Sequence, residues 1–305
     1  MMNFRQYPNM TKVVIPNSVS LSSTNFSNAF RNMYNLRYAE IPNTVVNMSS
    51  TFMNCTSLAE PVKSINATNM FNAYKGCTNL KNSFCGNKVI DMAYAYYECS
   101  SLTTASCGPN VTSLRYAYQR CTNLTEAVCG DKVTSMQETY RNCHNLVRAA
   151  CGENVKLMSH TYSNCRNLIT AVCGPNVTNM YCAYQDCINL KYAACGENVI
   201  QMPYAFAGCA NLTTAVCGNN VTNMLYAYSR CPNIAGNAYL YNVENANNCF
   251  NGRNASNRLN IYTYNPTAFT SSTSNITGSA LTWTSNSANN CSYNTSANIY
   301  VYTLT

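Results

Sequence analysis

Apolar residues recur along this chain in one fixed order. Met or Leu comes first (Met92, Leu114, Met136), an aromatic follows four residues later (Tyr96, Tyr118, Tyr140), then Cys after three (Cys99, Cys121, Cys143) and Leu after three more (Leu102, Leu124, Leu146). The order returns with one constant period, the step from Cys99 to Cys121, all the way from Met48 to Ile234. Offsets of four and three put Met, aromatic and Cys on one face of a helix, so the pattern predicts a short helical or 3₁₀ segment in each repeat. After the Leu the period becomes two. In Leu124–Gly130, Ala127 and Cys129 point one way and Val128 the other, which predicts a three-residue strand, and Gly130 then turns the chain. A constant period of this length means stacked units with a shared core. With strands ~4.8 Å apart, the predicted fold class is an α/β solenoid, with a parallel sheet on one side and short helical segments on the other.

The phase continues past the regular repeats. Met33, Leu36, Ala39 and Ile41 occupy the Cys, Leu and inward strand positions, and Met10, Val13 and Ile15 do the same for a first coil, with a four-residue insertion before the next. Downstream, Val243, Phe250, Leu259 and Ile261 stay in phase, and Leu281 and Trp283 follow one full period after the last pair. The expected organisation is an N-terminal capping coil over 1–32, the solenoid over 33–250 and atypical β-rich closing coils over 251–305. Asn298–Tyr302 is expected to form a final strand over the open end, because solenoids need caps.

The string VTSLRYAYQRCTNLTEAVCGDKV resembles the BspA-like leucine-rich repeat, and Ile15-Pro16 and Ile41-Pro42 keep that family's Ile-Pro. The resemblance spans roughly residues 7 to 261 and implies a right-handed coil. It also implies a scaffold, which by itself names no partner. In the middle coils Ala and Cys replace the family's inward Ile residues and Gly replaces its Pro. Smaller strand residues leave volume for the large Tyr, Met and Leu columns. The Asn-, Thr- and Tyr-rich character is similar to that of leaderless repeat proteins of phage particles.

Of 19 cysteines, most fall in two columns, Cys55 to Cys231 and, eight residues later in each coil, Cys85 to Cys217; Cys182, Cys249 and Cys291 lie outside them. Parallel side chains in adjacent coils keep Cβ atoms about 4.8 Å apart, wider than a disulfide prefers. The reading is a ladder of buried free thiols behaving as small hydrophobes; whether the three outlying cysteines form bonds stays open. The spacing lacks the Cys pairs and convergent His of a zinc site, so no metal and no cofactor is expected.

Only 10% of residues are charged, and the net charge of +8 is spread thinly. Without a Lys/Arg cluster nucleic acid is not an expected partner. Without an apolar run of ~18 residues neither is membrane insertion, and the N-terminal segment shows no signal-peptide pattern. His144 and His160 occupy different repeat positions, and Glu126, Glu153 and Glu197 sit at solvent positions in separate coils, so no acid/base pair or nucleophile is assembled and no catalytic residue is expected. The Thr112, Thr134, Thr178, Thr222 rank is interrupted by Ile90, Lys156 and Ile200, which argues against ice binding. The Asn column before each Leu, such as Asn123 and Asn145, is expected to take left-handed backbone and close the helical turn.

Recognition is expected where side chains vary over a constant core. The outward strand column, Phe84, Ser106, Val128, Ala150, Val172, Ala194 and Val216, forms an apolar stripe that can contact another chain. Beside it lie Glu126, Arg148, Thr170, Tyr192 and Thr214. The candidate interaction face is therefore Phe84, Glu126, Val128, Arg148, Val172, Tyr192 and Val216. The function expected is a non-enzymatic structural or adhesive protein of a phage particle, a fibre or decoration protein. Its partners would be other virion proteins, further copies meeting through the sheet or the capping ends, or a host surface protein or glycan. A bacterial surface adhesin and an intracellular interaction scaffold are the alternatives.

Overall fold

A computed structural model describes residues 4, 6–254, 256–265 and 268, with the backbone of two further strands, Cys291–Asn294 and Ile299–Leu304. Leu281 and Trp283 lie outside the described residues. The chain divides into two compact units, Met1–Val155 and Lys156–Thr305. Each is a stack of coils in which equivalent side chains, such as Asn32 and Asn54 or Asn189 and Asn211, meet across one 22-residue step.

The segment from Met to Cys is not a helix. In the coil from Leu114 to Cys121, N–H groups alternate between two destinations. Ala117 donates to the Leu114 carbonyl (2.8 Å) and Cys121 to that of Tyr118 (3.1 Å), closing turns within the coil. Leu114, Tyr116, Tyr118 and Arg120 donate instead to the next coil, at Ser135, Gln137, Thr139 and Arg141 (2.9–3.1 Å). An α-helix would spend all of these donors on its own i−4 carbonyls. Here half of them join one coil to the next. The turns need a left-handed third residue, as a type II turn does, and each coil supplies two, four residues apart: Tyr116 (φ 58°) and Arg120 (φ 63°). In the second unit Cys182 (φ 53°) and Asp186 (φ 58°) repeat the pair. The Asn column before each Leu does not hold these positions. Its amides reach across coils, as when Asn79 donates to the Ser57 carbonyl (3.3 Å) and Asn233 to that of Ala210 (2.9 Å).

Among the described residues, strands are confined to the end coils. β1 (Lys12–Val14) and β2 (Tyr38–Glu40) pair in parallel with Val13 opposite Ala39, a step lengthened by the four-residue insertion. In the middle coils the predicted strand is reduced to single bridges, Glu126 with Arg148 and Thr170 with Tyr192. The cause is the aromatic twelve residues further on. The buried Tyr96 hydroxyl accepts from the Phe84 N–H (2.9 Å) and donates to the Phe84 carbonyl (2.6 Å). Tyr118 does the same for Ser106, Tyr140 for Val128, Tyr184 for Val172 and Tyr228 for Val216. A hydroxyl can both donate and accept, so it takes both polar groups that a β ladder would use. Phe52 stands twelve residues after Glu40 and Phe250 twelve after Ala238, and both of those positions lie in true strands. Phe206, over Ala194, permits a strand without producing one, in a coil whose strand residues are Ala, Ala and Cys. The continuous parallel ladder runs elsewhere, one residue before the Met column: Asn25, Asn47, Asn69, Asp91, Ser113 and Ser135 in the first unit, Leu157 to Asn245 in the second.

In the second unit β3 (Gly236–Tyr239) pairs in parallel with β4 (Leu259–Thr263), Ala238 opposite Ile261. Leu259 and Ile261 are inward as expected, but the step between the two strands is one residue longer than the regular coil, Asn237 standing opposite Asn260. In the β3 coil Gly236 (φ 84°) opens the strand, and the inward positions are Ala238 and Leu240. β5 (Cys291–Asn294) and β6 (Ile299–Leu304) complete the sheet: β6 runs antiparallel along the other side of β4, and β5 pairs with β6. Arg253 holds the position that Cys occupies in the preceding coils. It is 2% exposed, and its Nη1 donates to the carbonyls of Asn254 and Asn257 in the final turn.

The core columns are buried throughout, and the aromatics stack face to face between coils, Tyr74 on Tyr96 at 5.2 Å and Phe206 on Tyr228 at 5.3 Å. Thiols of the first Cys column donate to a main-chain carbonyl of the preceding coil, Cys121 to Tyr96 (3.1 Å) and Cys209 to Tyr184 (3.1 Å). The described cysteines are thiols and not disulfides. The second column, Cys85 to Cys217, is half-buried where the ladder predicts full burial. Glycine follows it because coils approach closely there: a Cβ on Gly108 would lie 2.6 Å from the Gly86 carbonyl oxygen and 2.9 Å from the Cys85 sulfur.

Candidate interaction face

Two columns follow each Leu and stand outside the core. In the first unit Glu126 and Arg148 are bridged through the backbone and their charges meet at 3.4 Å, with side chains 64% and 78% exposed. A pair so open to water contributes little stability. Earlier coils carry a polar rung on the same column, Thr104 donating to Asn82 (3.3 Å) and Asn82 to the Glu60 carboxylate (3.1 Å). In the second unit Tyr192 is 64% exposed beside Thr170, with Ile169 and Lys191 exposed in the adjoining column.

Phe84, Val128, Val172 and Val216 lie differently. Each is half-buried, and each backbone is held inward by the tyrosine hydroxyl described above. The apolar stripe is thus a shoulder of the core, and Glu126, Arg148 and Tyr192 are the accessible members of the expected face. An open concavity of about 360 Å³ flanks such a column in the first unit beside Tyr38, Glu40, Pro61 and Lys63, and another of about 620 Å³ in the second unit is lined by a different rank, Asn198, Ile200, Asn220 and Thr222.

The ionisable groups do not converge. Among the described residues no three of His, Cys, Asp and Glu come together to hold a metal, and no helix is long and apolar enough to cross a membrane. His160 is a left-handed turn residue with its ring edge-on to Tyr181 (5.2 Å), and Glu138 pairs with Arg141 (2.9 Å). Burial pushes the thiols up, Cys85, Cys107 and Cys195 to about 11 and Cys55 to about 12. That is the reverse of what an activated nucleophile needs.

The repeat pattern does not single out the surface tyrosines. Tyr94 stacks on Tyr116 (4.5 Å) and Tyr204 on Tyr226 (4.9 Å), all at left-handed turn positions, and Tyr239, Tyr241, Tyr262 and Tyr264 cluster on β3, β4 and the residues after them. The signals that could have found them are Tyr94, Tyr116, Tyr204 and Tyr226 in one column of the repeat and the strings Tyr239-Leu240-Tyr241 and Tyr262-Thr263-Tyr264.

A family model described as the BspA type leucine rich repeat region matches residues 2–115, 68–191 and 180–300. The chain belongs to the BspA type leucine-rich repeat family. Among solved structures, a leucine-rich repeat protein from Bacteroides ovatus is 15% identical, with 76% of this chain and 79% of that chain covered and a TM-score of 0.48. A leucine rich cell surface protein from Faecalibacterium prausnitzii is 16% identical, with 79% and 83% covered and a TM-score of 0.36. No curated protein sequence matches the chain.

Proposed function

We propose that this BspA-type repeat protein is a non-enzymatic interaction component that holds another macromolecule against the exposed columns following each Leu. The observation that carries the reading is the contrast between columns. Met, aromatic, Cys and Leu hardly change from coil to coil, while the exposed position two after Leu is in turn Asn82, Thr104, Glu126, Arg148, Thr170, Tyr192 and Thr214. Repeated coils fix the spacing, and varied side chains on them write a surface.

The assembly we assign it to is a phage particle, in which it serves as a fibre or decoration protein. Its composition supports this placement: 10% charged residues and an Asn-, Thr- and Tyr-rich chain. A bacterial surface adhesin is the second reading, supported by family membership. Mass spectrometry of purified particles separates them, since the chain is expected in stoichiometric amount in particles and its absence there rejects the placement. To test the face, Ile169→Asp with Tyr192→Asp is expected to lower incorporation into the assembly while the melting temperature holds. Unchanged incorporation removes the face from the contact.

A further inference from the structure

The last parallel strands carry a surface unlike the rest of the described residues. On β3 and the residues after it, Asn237, Tyr239 and Tyr241 alternate with the buried Ala238 and Leu240; on β4 and beyond, Asn260, Tyr262 and Tyr264 alternate with the buried Ile261 and Thr263. Parallel register brings like to like. Tyr239 lies against Tyr262 (4.8 Å, planes 27° apart), Tyr241 against Tyr264 (5.0 Å, 26°), and Tyr239 is 6.0 Å from Tyr241. Asn260 donates to the Asn237 side-chain oxygen (2.9 Å), a rung beside the four rings. Tyr239 and Tyr264, at opposite corners, are each 48% exposed. This is a tile of two stacked phenol pairs and two amides on the last sheet of the second unit.

Packing does not require it. The tile faces away from the core, and aromatic rings of this size left in water forgo the burial that makes them stabilising elsewhere. Charge narrows the occupant. None of the six side chains is charged, Arg258 just before β4 is the sole cation in line with them, and no Asp or Glu follows Glu244 in the sequence. A nucleic acid would need several cations along its backbone. An acidic or basic peptide would find almost no counter-charge among the described side chains. Phenol rings and amides match a neutral ligand whose faces are C–H and whose edges are hydroxyl.

We propose that Tyr239, Tyr241, Tyr262 and Tyr264 form a saccharide-binding surface for a neutral, flat, extended polysaccharide of equatorially linked pyranoses. Sugar C–H faces pack on the open parts of the Tyr239 and Tyr264 rings, and sugar hydroxyls bond the phenol groups and the Asn237–Asn260 amides. The tile shares none of the residues named for the face above, so either assignment can fail alone.

The test is calorimetric titration of the full chain with cellohexaose and chitohexaose, with axially linked maltohexaose as the comparison. Binding of an equatorially linked hexasaccharide in preference to maltohexaose is expected. Tyr239→Ala and Tyr262→Ala are each expected to weaken it about tenfold at unchanged melting temperature, with Tyr239→Phe retaining most of it. No binding of either equatorial probe overturns the proposal, as does binding that both Ala variants leave intact. Sedimentation of the free chain supplies the remaining outcome: self-association that Tyr239→Ala abolishes would make the tile a contact between copies and overturn it likewise.

Discussion

In the tyrosine-bearing middle coils a single hydroxyl holds the backbone that a strand would use. Tyr96 is fully buried and serves the N–H and the carbonyl of Phe84 together, at 2.9 and 2.6 Å. Tyr96→Phe removes both bonds and leaves two main-chain groups without that partner, a loss of about 1–3 kcal/mol, read as a lower urea midpoint. The ring still stacks between Tyr74 and Tyr118, so the coil stays in register, and the amide exchange rate of Phe84 is expected to rise while that of Cys99 does not. The thiols give a second residue-scale prediction. Burial raises the folded-state value of Cys85 to about 11 and of Cys55 to about 12 from an ordinary value of 9.0. Below pH 9 both states are protonated and the contribution is constant; above it the unfolded chain ionises first, binds fewer protons than the folded one, and stability falls until the folded values are passed. Urea midpoints are expected to be level below about pH 9 and to drop steadily toward pH 11–12. A midpoint that rises across that interval contradicts buried, protonated thiols.

At the scale of the element, the period and the core columns were legible in the sequence and the local backbone was not. Offsets of four and three describe one face of a helix, and they equally describe two successive turns whose corners lie four apart. Asn28 and Asn32, Asn72 and Gly76, and Asn248 and Gly252 carried the distinguishing signal, since Asn and Gly are the residues that best tolerate positive φ. Tyr, Arg and Glu at the same columns in the middle coils concealed it. The strand was over-read for a different reason: alternation alone does not show that a hydroxyl twelve residues away competes for the ladder. The expected face was legible in part. Exposure of Glu126, Arg148 and Tyr192 follows from their place after Leu, whereas the half-burial of Val128 and Val172 depends on backbone turned toward the tyrosines. Coil-to-coil approach makes its own prediction. Gly108 has no positive φ, so Gly108→Ala adds no backbone strain, but its Cβ would meet the fixed Gly86 carbonyl at 2.6 Å. Overpacking there is expected to cost about 1–3 kcal/mol by urea denaturation; a neutral result would mean the coils can move apart.

For the whole molecule, the consequence of this architecture is that stability is a sum over coils and the contacts between neighbours. Within each unit a coil closes its own turns and passes its remaining N–H groups to the next, so removing one coil in phase joins two surfaces already complementary. Deleting 92–113 puts Asp91 directly before Leu114, with Met column, aromatic column and thiol ladder all restored. The shortened chain is expected to unfold cooperatively, with an m-value smaller by ~7%, in proportion to the single coil lost from the chain. Deleting one residue fewer leaves every downstream column displaced by one. In that variant Leu114 no longer takes the place of Met92 in the stack, the donors that alternate between turn and neighbouring coil exchange roles, and buried N–H groups lose their carbonyls at several positions at once. Loss of cooperative unfolding in the second deletion but not in the first would show that register carries the fold; equal damage from both would mean that some feature of the removed coil itself, and not its phase, was required.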